Sequence, residues 1–222
     1  MKKKLVAVVA VRKGSQRVKN KNLKPFAGKN LLSLKIETLK KLKQLDEIII
    51  NTDSDEAIKI AQDYNISFHK RESYYASSEC TNSEFWSHIA KKTDAEYIMF
   101  TNCTSPLVKP ETYMKIIDSF ELSKSSHDSI NTASQVKEFL YKDNLPLNFN
   151  PNTAPNSQEL PDIIKLNFAV NIISKKLMHK KKSLIGNKPI FHLLDDVESV
   201  DINTKLEFEF AEYLFKKNSI NK

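Results

Sequence analysis

LVAVVAVRKGSQRVKNKN, residues 5–22, decides the fold. Its first seven residues are apolar without interruption and rich in valine. A run this short, bounded by polar sequence, reads as a strand buried on both faces. At Arg12 the chain turns polar, and residues 12–22 read as a loop leaving the carboxyl end of that strand. Arg12, Gly14 and Arg17 fall within six residues, although all 222 residues hold only three arginines and three glycines. Lysine supplies almost every other positive charge.

Outward from that stretch, strand and helix patterns alternate. Residues 31–45 carry leucines near helical spacing with lysines opposite. Residues 46–55 hold a second buried strand, and residues 54–65 a helix that Ser54 or Asp53 can cap. A short strand follows at 66–71. Thr81 and Glu84 open a helix over 81–93 with a capping-box pattern. Residues 95–107 give a strand and a loop closed by Pro106, and residues 109–124 a helix with Pro110 in its first turn. Short connections between alternating elements predict a doubly wound, mostly parallel α/β sheet. In such sheets the ligand lies beyond the carboxyl ends of the strands, which directs attention to residues 12–22, 51–55 and 101–107.

Beyond residue 125 the pattern loosens. Strands are expected at 128–134, 163–174 and 189–196, and residues 197–218 give a strand end, a turn at Asp201–Thr204 and a closing amphipathic helix. Residues 141–162 hold four of the eight prolines and many asparagines, so they read as a long loop or extended arm. A structureless segment of roughly 20 residues is unusual inside a compact domain, which points to packing on another subunit. The chain is read as one domain, residues 1–222, with 135–172 as a dimerisation and acceptor-binding arm.

Composition narrows the function classes. The net charge of +8 suits a polyanionic partner, either nucleic acid or a phosphorylated small molecule. The lysines occur in short runs with acids between them, and no recognition helix, aromatic-interleaved basic stripe or zinc finger accompanies them, which argues against nucleic acid. Nothing approaches the ~20 apolar residues of a membrane span, and the first apolar run is too short for a signal segment, so a cytoplasmic location is expected. Cys80 and Cys103 are too few for a disulfide framework.

The loop after the first strand suits phosphate. Gly14 lets backbone amides approach an anion, Ser15 adds a donor, Arg12 and Arg17 offer planar forks, and Lys21 a point charge. A basic surface loop would carry the same charges; the position after strand one, with Arg71 ending another strand, favours phosphate. Neither GxxxxGK[ST] nor GxGxxG occurs.

The stretch RKGSQRVKNKNLKPFAGKNLL, residues 12–32, resembles the signature of the acylneuraminate cytidylyltransferase family, A-R-x-G-S-(K/Q)-R-(x)3-K-N followed by a "PLxGKPLL" segment. The resemblance continues through IIINTDSDEAIKIAQDYN (48–65), FTNCTSPLVKPE (100–111) and SVDINTKLEFEFAE (199–212), in family order. It implies a Rossmann-like nucleotidyltransferase, acting as a homodimer, that moves CMP from CTP to a hydroxyl of a 2-keto-3-deoxy acid sugar with loss of pyrophosphate. It implies that Arg12, Gly14, Ser15 and Lys21 hold the triphosphate, that Asn22 lies near the cytidine and phosphates, and that Arg71 reads the base or ribose. Arg17 joins the nucleotide-binding set. Asp201 would bind Mg2+, with Asn203 as a second, neutral ligand or as a helix cap. Arg12, Lys21 and Asp201 form the implied catalytic set.

Three regions depart from the family. Asn203 stands where a second aspartate is usual. Asn102 replaces a glutamine, with Cys103, read as a small buried thiol, beside it. In the acceptor region Lys165 replaces an arginine and Phe168 a glycine. Asn102, Lys165 and Asn167 are the acceptor candidates. The departures favour a sialic, legionaminic or pseudaminic type of sugar over sialic acid alone. They also leave open an organic phosphate or phosphonate acceptor, and a non-catalytic nucleotide-binding homologue. The five histidines read as surface or packing residues, Trp86 as core, and Asp53 and Asp55 as capping or near-site residues.

Overall fold

A computed structural model of the chain describes residues 3–14 and 17–220. In chain order the elements are β1 (Leu5–Val11), a hairpin of β2 (Pro25–Phe26) and β3 (Lys29–Asn30), α1 (Leu31–Leu39), β4 (Glu47–Thr52), α2 (Asp55–Asp63), β5 (Ser67–Lys70), α3 (Ser73–Ala76), α4 (Asn82–Lys92), β6 (Tyr97–Thr101) and α5 (Pro110–Ser123). Then come β7 (Ser129–Val136), a second hairpin of β8 (Tyr141–Lys142) and β9 (Leu145–Pro146), β10 (Ile163–Ser174), α6 (Lys175–Lys181), β11 (Pro189–Leu193) and α7 (Lys205–Ile220).

Seven strands form one sheet in the order β11-β7-β10-β6-β1-β4-β5. β10 runs antiparallel to both of its neighbours, and the remaining pairs are parallel. The doubly wound, mostly parallel expectation therefore holds. β1 lies between β4 and β6, so the chain order reverses across it, and the loop after β1 sits at a switch point of the sheet.

Alternation along β1 divides the core. Ala7, Val9 and Val11 face a large cluster built with α1, α2, α5 and α7. Val6 and Val8 face a second cluster containing Ile89 and Ala90 of α4 and Met178 of α6. Burying both faces explains why β1 and β4 are continuous apolar runs. Helix starts follow the expected chemistry: Ser54 caps α2 by accepting from the Ala57 amide, and Thr81 with Glu84 closes a complete capping box on α4.

Three details differ from the sequence reading. α1 ends at Leu39, because Lys41 and Leu42 close i→i−3 turns instead of continuing the helix, while Leu42 still packs into the core. Residues 163–172, counted above with the arm, belong to β10 between β6 and β7, where their apolar side chains are buried from Ala169 onward. Part of the segment outside the sheet is ordered as the β8–β9 hairpin, turned by Asp143 and Asn144 with φ of 52° and 64°.

Candidate active site

The loop leaving β1 is shaped by Gly14, whose φ of +79° is strained for any side chain although the space around it is open. The Lys13 amide donates to Asp53 Oδ1 at 2.8 Å, which pins this loop to the turn after β4. Asp53 thus anchors the loop after β1, while Ser54 does the capping. Ser15 lies outside the described residues.

A cleft of about 410 Å³ opens over the carboxyl ends of the central strands and is lined by Arg12, Arg17, Lys21, Asn22, Arg71 and Asn102. The fold thus gathers six of the candidates from three separated stretches. The cleft has two sides. Arg71, at the end of β5, lies toward one edge of the sheet; Asn102, after β6, lies toward the other. A more open groove of about 550 Å³ shares Arg17 and runs outward along Lys24 and Lys205. It lacks the convergence of Lys21, Asn22, Arg71 and Asn102.

Arg71 is buried. Its Nε donates to Asn51 Oδ1 at 2.6 Å, its Nη2 to the Asn51 carbonyl at 2.7 Å, and its guanidinium lies 4.3 Å from the Phe85 ring centre. Burial lowers its pKa to about 10, so the charge persists at neutral pH. Asn22 lines the cleft, and its Oδ1 is buried with no partner.

The segment before α7 closes onto the loop after β1. The Ile202 amide donates to the Thr104 carbonyl at 2.9 Å, and Lys21 Nζ donates to the Ile202 carbonyl. Burial lowers the Lys21 pKa, and the charge of Asp201 opposes that shift. Asn203 donates to Asp201 Oδ2 at 2.7 Å and accepts from Arg17 Nη2 at 3.1 Å. Helix α7 is capped by Thr204, whose Oγ1 accepts from the Glu207 amide, and not by the Asn203 side chain. Beneath the loop, buried Lys35 donates to the Ser105 carbonyl at 3.1 Å and to the Tyr113 hydroxyl, bracing residues 102–105 from below.

Asp201 Oδ1 is buried and has no hydrogen-bond partner. An unsatisfied buried acceptor costs about 1–3 kcal/mol, more when charged, and a carboxylate oxygen is the donor Mg2+ takes. The residues present fit a cation held through that one protein oxygen. Among the described residues no cluster of three acidic, histidine or cysteine side chains gathers, as an all-protein cage would require. The Asn203 oxygen is occupied by Arg17 in this arrangement.

Two acceptor candidates stand apart from the cleft lining. Lys165 is exposed on β10, paired with Ser134. Asn167 uses its side chain internally, donating to Ser134 Oγ at 3.1 Å and accepting from the Ala169 amide at 3.2 Å. Tyr75, Cys80, Phe85, Trp86 and Phe100 enter the lining unforeseen, together with Phe168, whose bulk in place of a glycine marked it in the acceptor region. Trp86, read as core, packs partly against the second cluster and also faces the cleft. Cys103 is buried, and desolvation pushes its thiol up to about 12, consistent with an inert packing role.

The cytidylyltransferase family matches residues 6–160. The chain belongs to that family. This cytidylyltransferase is 25% identical to the N-acylneuraminate cytidylyltransferase of Escherichia coli O18:K1:H7, covering 100% of this chain and 54% of that protein. It is also 25% identical to the CMP-N,N'-diacetyllegionaminic acid synthase of Legionella pneumophila, covering 97% of each. The chain thus spans about half of one relative and nearly all of the other. A solved CMP:2-keto-3-deoxy-manno-octonic acid synthetase in complex with CTP shares the fold, with a TM-score of 0.72, 12% identity, and coverage of 97% of this chain and 99% of that one. The cytidylyltransferase is accordingly a nucleotidyltransferase enzyme.

Proposed function

We propose that this cytidylyltransferase transfers CMP from CTP to a hydroxyl of a 2-keto-3-deoxy nonulosonic acid and releases pyrophosphate. The observation that carries the reading is the convergence of Arg12, Arg17, Lys21, Asn22, Arg71 and Asn102 on one cleft at the switch point of the sheet. The two 25%-identical relatives, both named for CMP transfer to nonulosonic acids, support the acceptor class.

The acceptor oxygen bonds to the α-phosphorus of CTP as the bond from that phosphorus to the bridging β-oxygen breaks. Pyrophosphate leaves and the hydroxyl proton is lost. Such transfers need positioning and charge neutralisation more than covalent help. Arg12, Arg17 and Lys21 neutralise the triphosphate and the departing pyrophosphate. The Gly14 turn presents backbone toward the phosphates. Asn22 and Arg71 take the nucleoside, and Asn102 faces the acceptor. Asp201 would hold Mg2+ through its unpaired carboxylate oxygen, and the ion would supply charge neutralisation at the triphosphate. Lys165 and Asn167 lie outside the cleft lining, and this reading gives them no direct contact with the acceptor.

We further propose a homodimer. Residues 137–162 stand off the sheet and expose Phe139, Tyr141, Leu145 and Leu147, an apolar set that a second copy would cover. The concentration dependence of sedimentation tests that assembly.

The function is tested by incubating the protein with CTP, Mg2+ and a panel of nonulosonic acids, then weighing the products by mass spectrometry. A species of acceptor mass plus a cytidylyl group supports the reading. CTP consumption that yields only CMP or CDP would contradict it.

A further inference from the structure

Phe168 has a φ of +54°, in the left-handed region. A bulky side chain is a genuine outlier there, and observed outliers cluster where function requires them. The outlier lies within an irregularity of β10, whose register against β7 shifts between Leu166 and Asn171. Bulges beside active sites re-aim side chains.

Three asparagines hold this one in place. The Phe168 carbonyl accepts from Asn102 Nδ2 at 3.3 Å and from Asn171 Nδ2 at 3.1 Å. Asn167 crosses the bulge by accepting from the Ala169 amide at 3.2 Å. Left-handed backbone thus turns the aromatic ring into the cleft, where it lies 6.0 Å from the Trp86 ring at a tilt of 37°. Phe100 and Leu184 line the same cleft, and Phe100 belongs to β6, the strand that leads to Asn102.

We infer that the Trp86–Phe168 wall determines acceptor specificity, favouring sugar acids that set an apolar group against it, such as an N-acyl methyl or a deoxygenated terminal carbon. The inference rests on the acceptor class proposed above. A hydroxyl placed against this wall loses water and gains no partner. Discrimination by an apolar surface of this kind is on the order of 10- to 100-fold in kcat/KM. The strained backbone is a cost the fold carries to present the ring, since glycine would adopt the same φ freely.

The test compares wild type with Phe168→Gly and Phe168→Asn, both compatible with left-handed backbone, at saturating CTP and Mg2+. The two probes are N,N'-diacetyllegionaminic acid, acylated and methyl-terminated, and 2-keto-3-deoxy-manno-octonic acid, hydroxylated along its tail. Trp86, the only tryptophan in the chain, reports on the cleft by fluorescence. Wild type should prefer the acylated probe by at least about tenfold, with Trp86 emission changing when it is added. Both variants should lose most of that preference through the acceptor KM, with the CTP KM unchanged.

If wild type turns over either probe but the variants keep its preference within about twofold, the wall does not set specificity and the inference is overturned while the proposed function stands. A Trp86 signal indifferent to the acceptor would overturn it in the same way. If wild type turns over neither N,N'-diacetyllegionaminic acid nor any other nonulosonic acid, the functional reading fails and takes the inference with it. Thermal melts identify a variant that fails to fold, and the second variant then decides.

Discussion

Asn203 donates its side-chain amide to Asp201 Oδ2 at 2.7 Å. The contact occupies one carboxylate oxygen and leaves Asp201 Oδ1 buried and unpaired. A neutral amide thus does what a second carboxylate could not do without a cation, which is to stabilise the segment before α7 in the absence of metal.

Asn203→Asp should reverse that balance. Two carboxylates in contact repel one another until a cation joins them, so the variant should melt lower without Mg2+ and gain more on its addition. A tenfold tighter site gives about 1.4 kcal/mol of extra stabilisation at saturating metal, roughly 3–5 °C in Tm. Melts with and without Mg2+ measure it; equal Mg2+ shifts in both proteins would argue against metal at Asp201.

Asp201→Ala should abolish Mg2+-dependent turnover while CTP binding without metal persists. Pyrophosphate release and calorimetric titration separate the two effects. A fully active variant would remove Asp201 from the site.

Arg12 is exposed and lines the cleft. Arg12→Ala should therefore weaken CTP binding by at least about 100-fold, as loss of a bidentate, charge-assisted contact does. Its effect on unfolding without nucleotide should stay within about 0.5 kcal/mol, typical of a surface position. Unchanged CTP affinity would contradict the phosphate assignment.

Lys21 gives a pH signature. Burial favours its neutral form, so its charge is lost at lower pH than the ordinary 10.5. CTP affinity should hold at neutral pH and begin to fall on the alkaline side before an ordinary lysine would titrate. Lys21→Arg, which keeps its charge, should flatten the fall. An affinity profile flat up to pH 10.5 in wild type would count against Lys21 as a phosphate ligand.

Glu207 governs the acid side. Burial pushes its carboxyl up, but hydrogen bonds from the Asn203 and Thr204 amides outweigh it and hold the pKa below 4.5. The folded value lies below the unfolded one, so this stabilisation is full above about pH 4.5 and is lost as pH falls through the folded value. Glu207→Ala should cost roughly 0.5–2 kcal/mol at pH 7, as loss of a helix-cap partner does. The gap to wild type should narrow on acidification in pH-dependent melts.

The parts of this molecule set by local pattern were legible in the sequence. Seven apolar residues followed by Arg12 announce a buried strand and a ligand loop, because burial on both faces leaves no polar position in β1. Ser54, Thr81 and Glu84 mark their helix starts through their own hydrogen bonds. The antiparallel direction of β10 was not legible, since an apolar run fits either direction. The β8–β9 hairpin was hidden in a stretch rich in proline and asparagine, although Asp143 and Asn144 carry the turn chemistry.

The site divides along the same line. Arg12, Arg17, Lys21 and Asn22 were found because a polar loop cannot be core. Trp86 was not, because an aromatic residue beside apolar neighbours looks like packing; Phe168 stood out as a bulky replacement for a glycine in the acceptor region, but the backbone turn that aims it into the cleft did not. The left-handed φ of Phe168 has no sequence signature. Asp53 was ambiguous for a related reason: its partner is a backbone amide 40 residues away.

Phosphorus NMR of a mixture of protein, CTP, Mg2+ and a nonulosonic acid tests the central claim most directly. The account predicts that the α-phosphorus resonance of CTP is replaced by that of a CMP–sugar diester, with one pyrophosphate formed per diester and neither appearing without the acid. Persistence of all three CTP resonances with every nonulosonic acid, or pyrophosphate released equally without one, would contradict it.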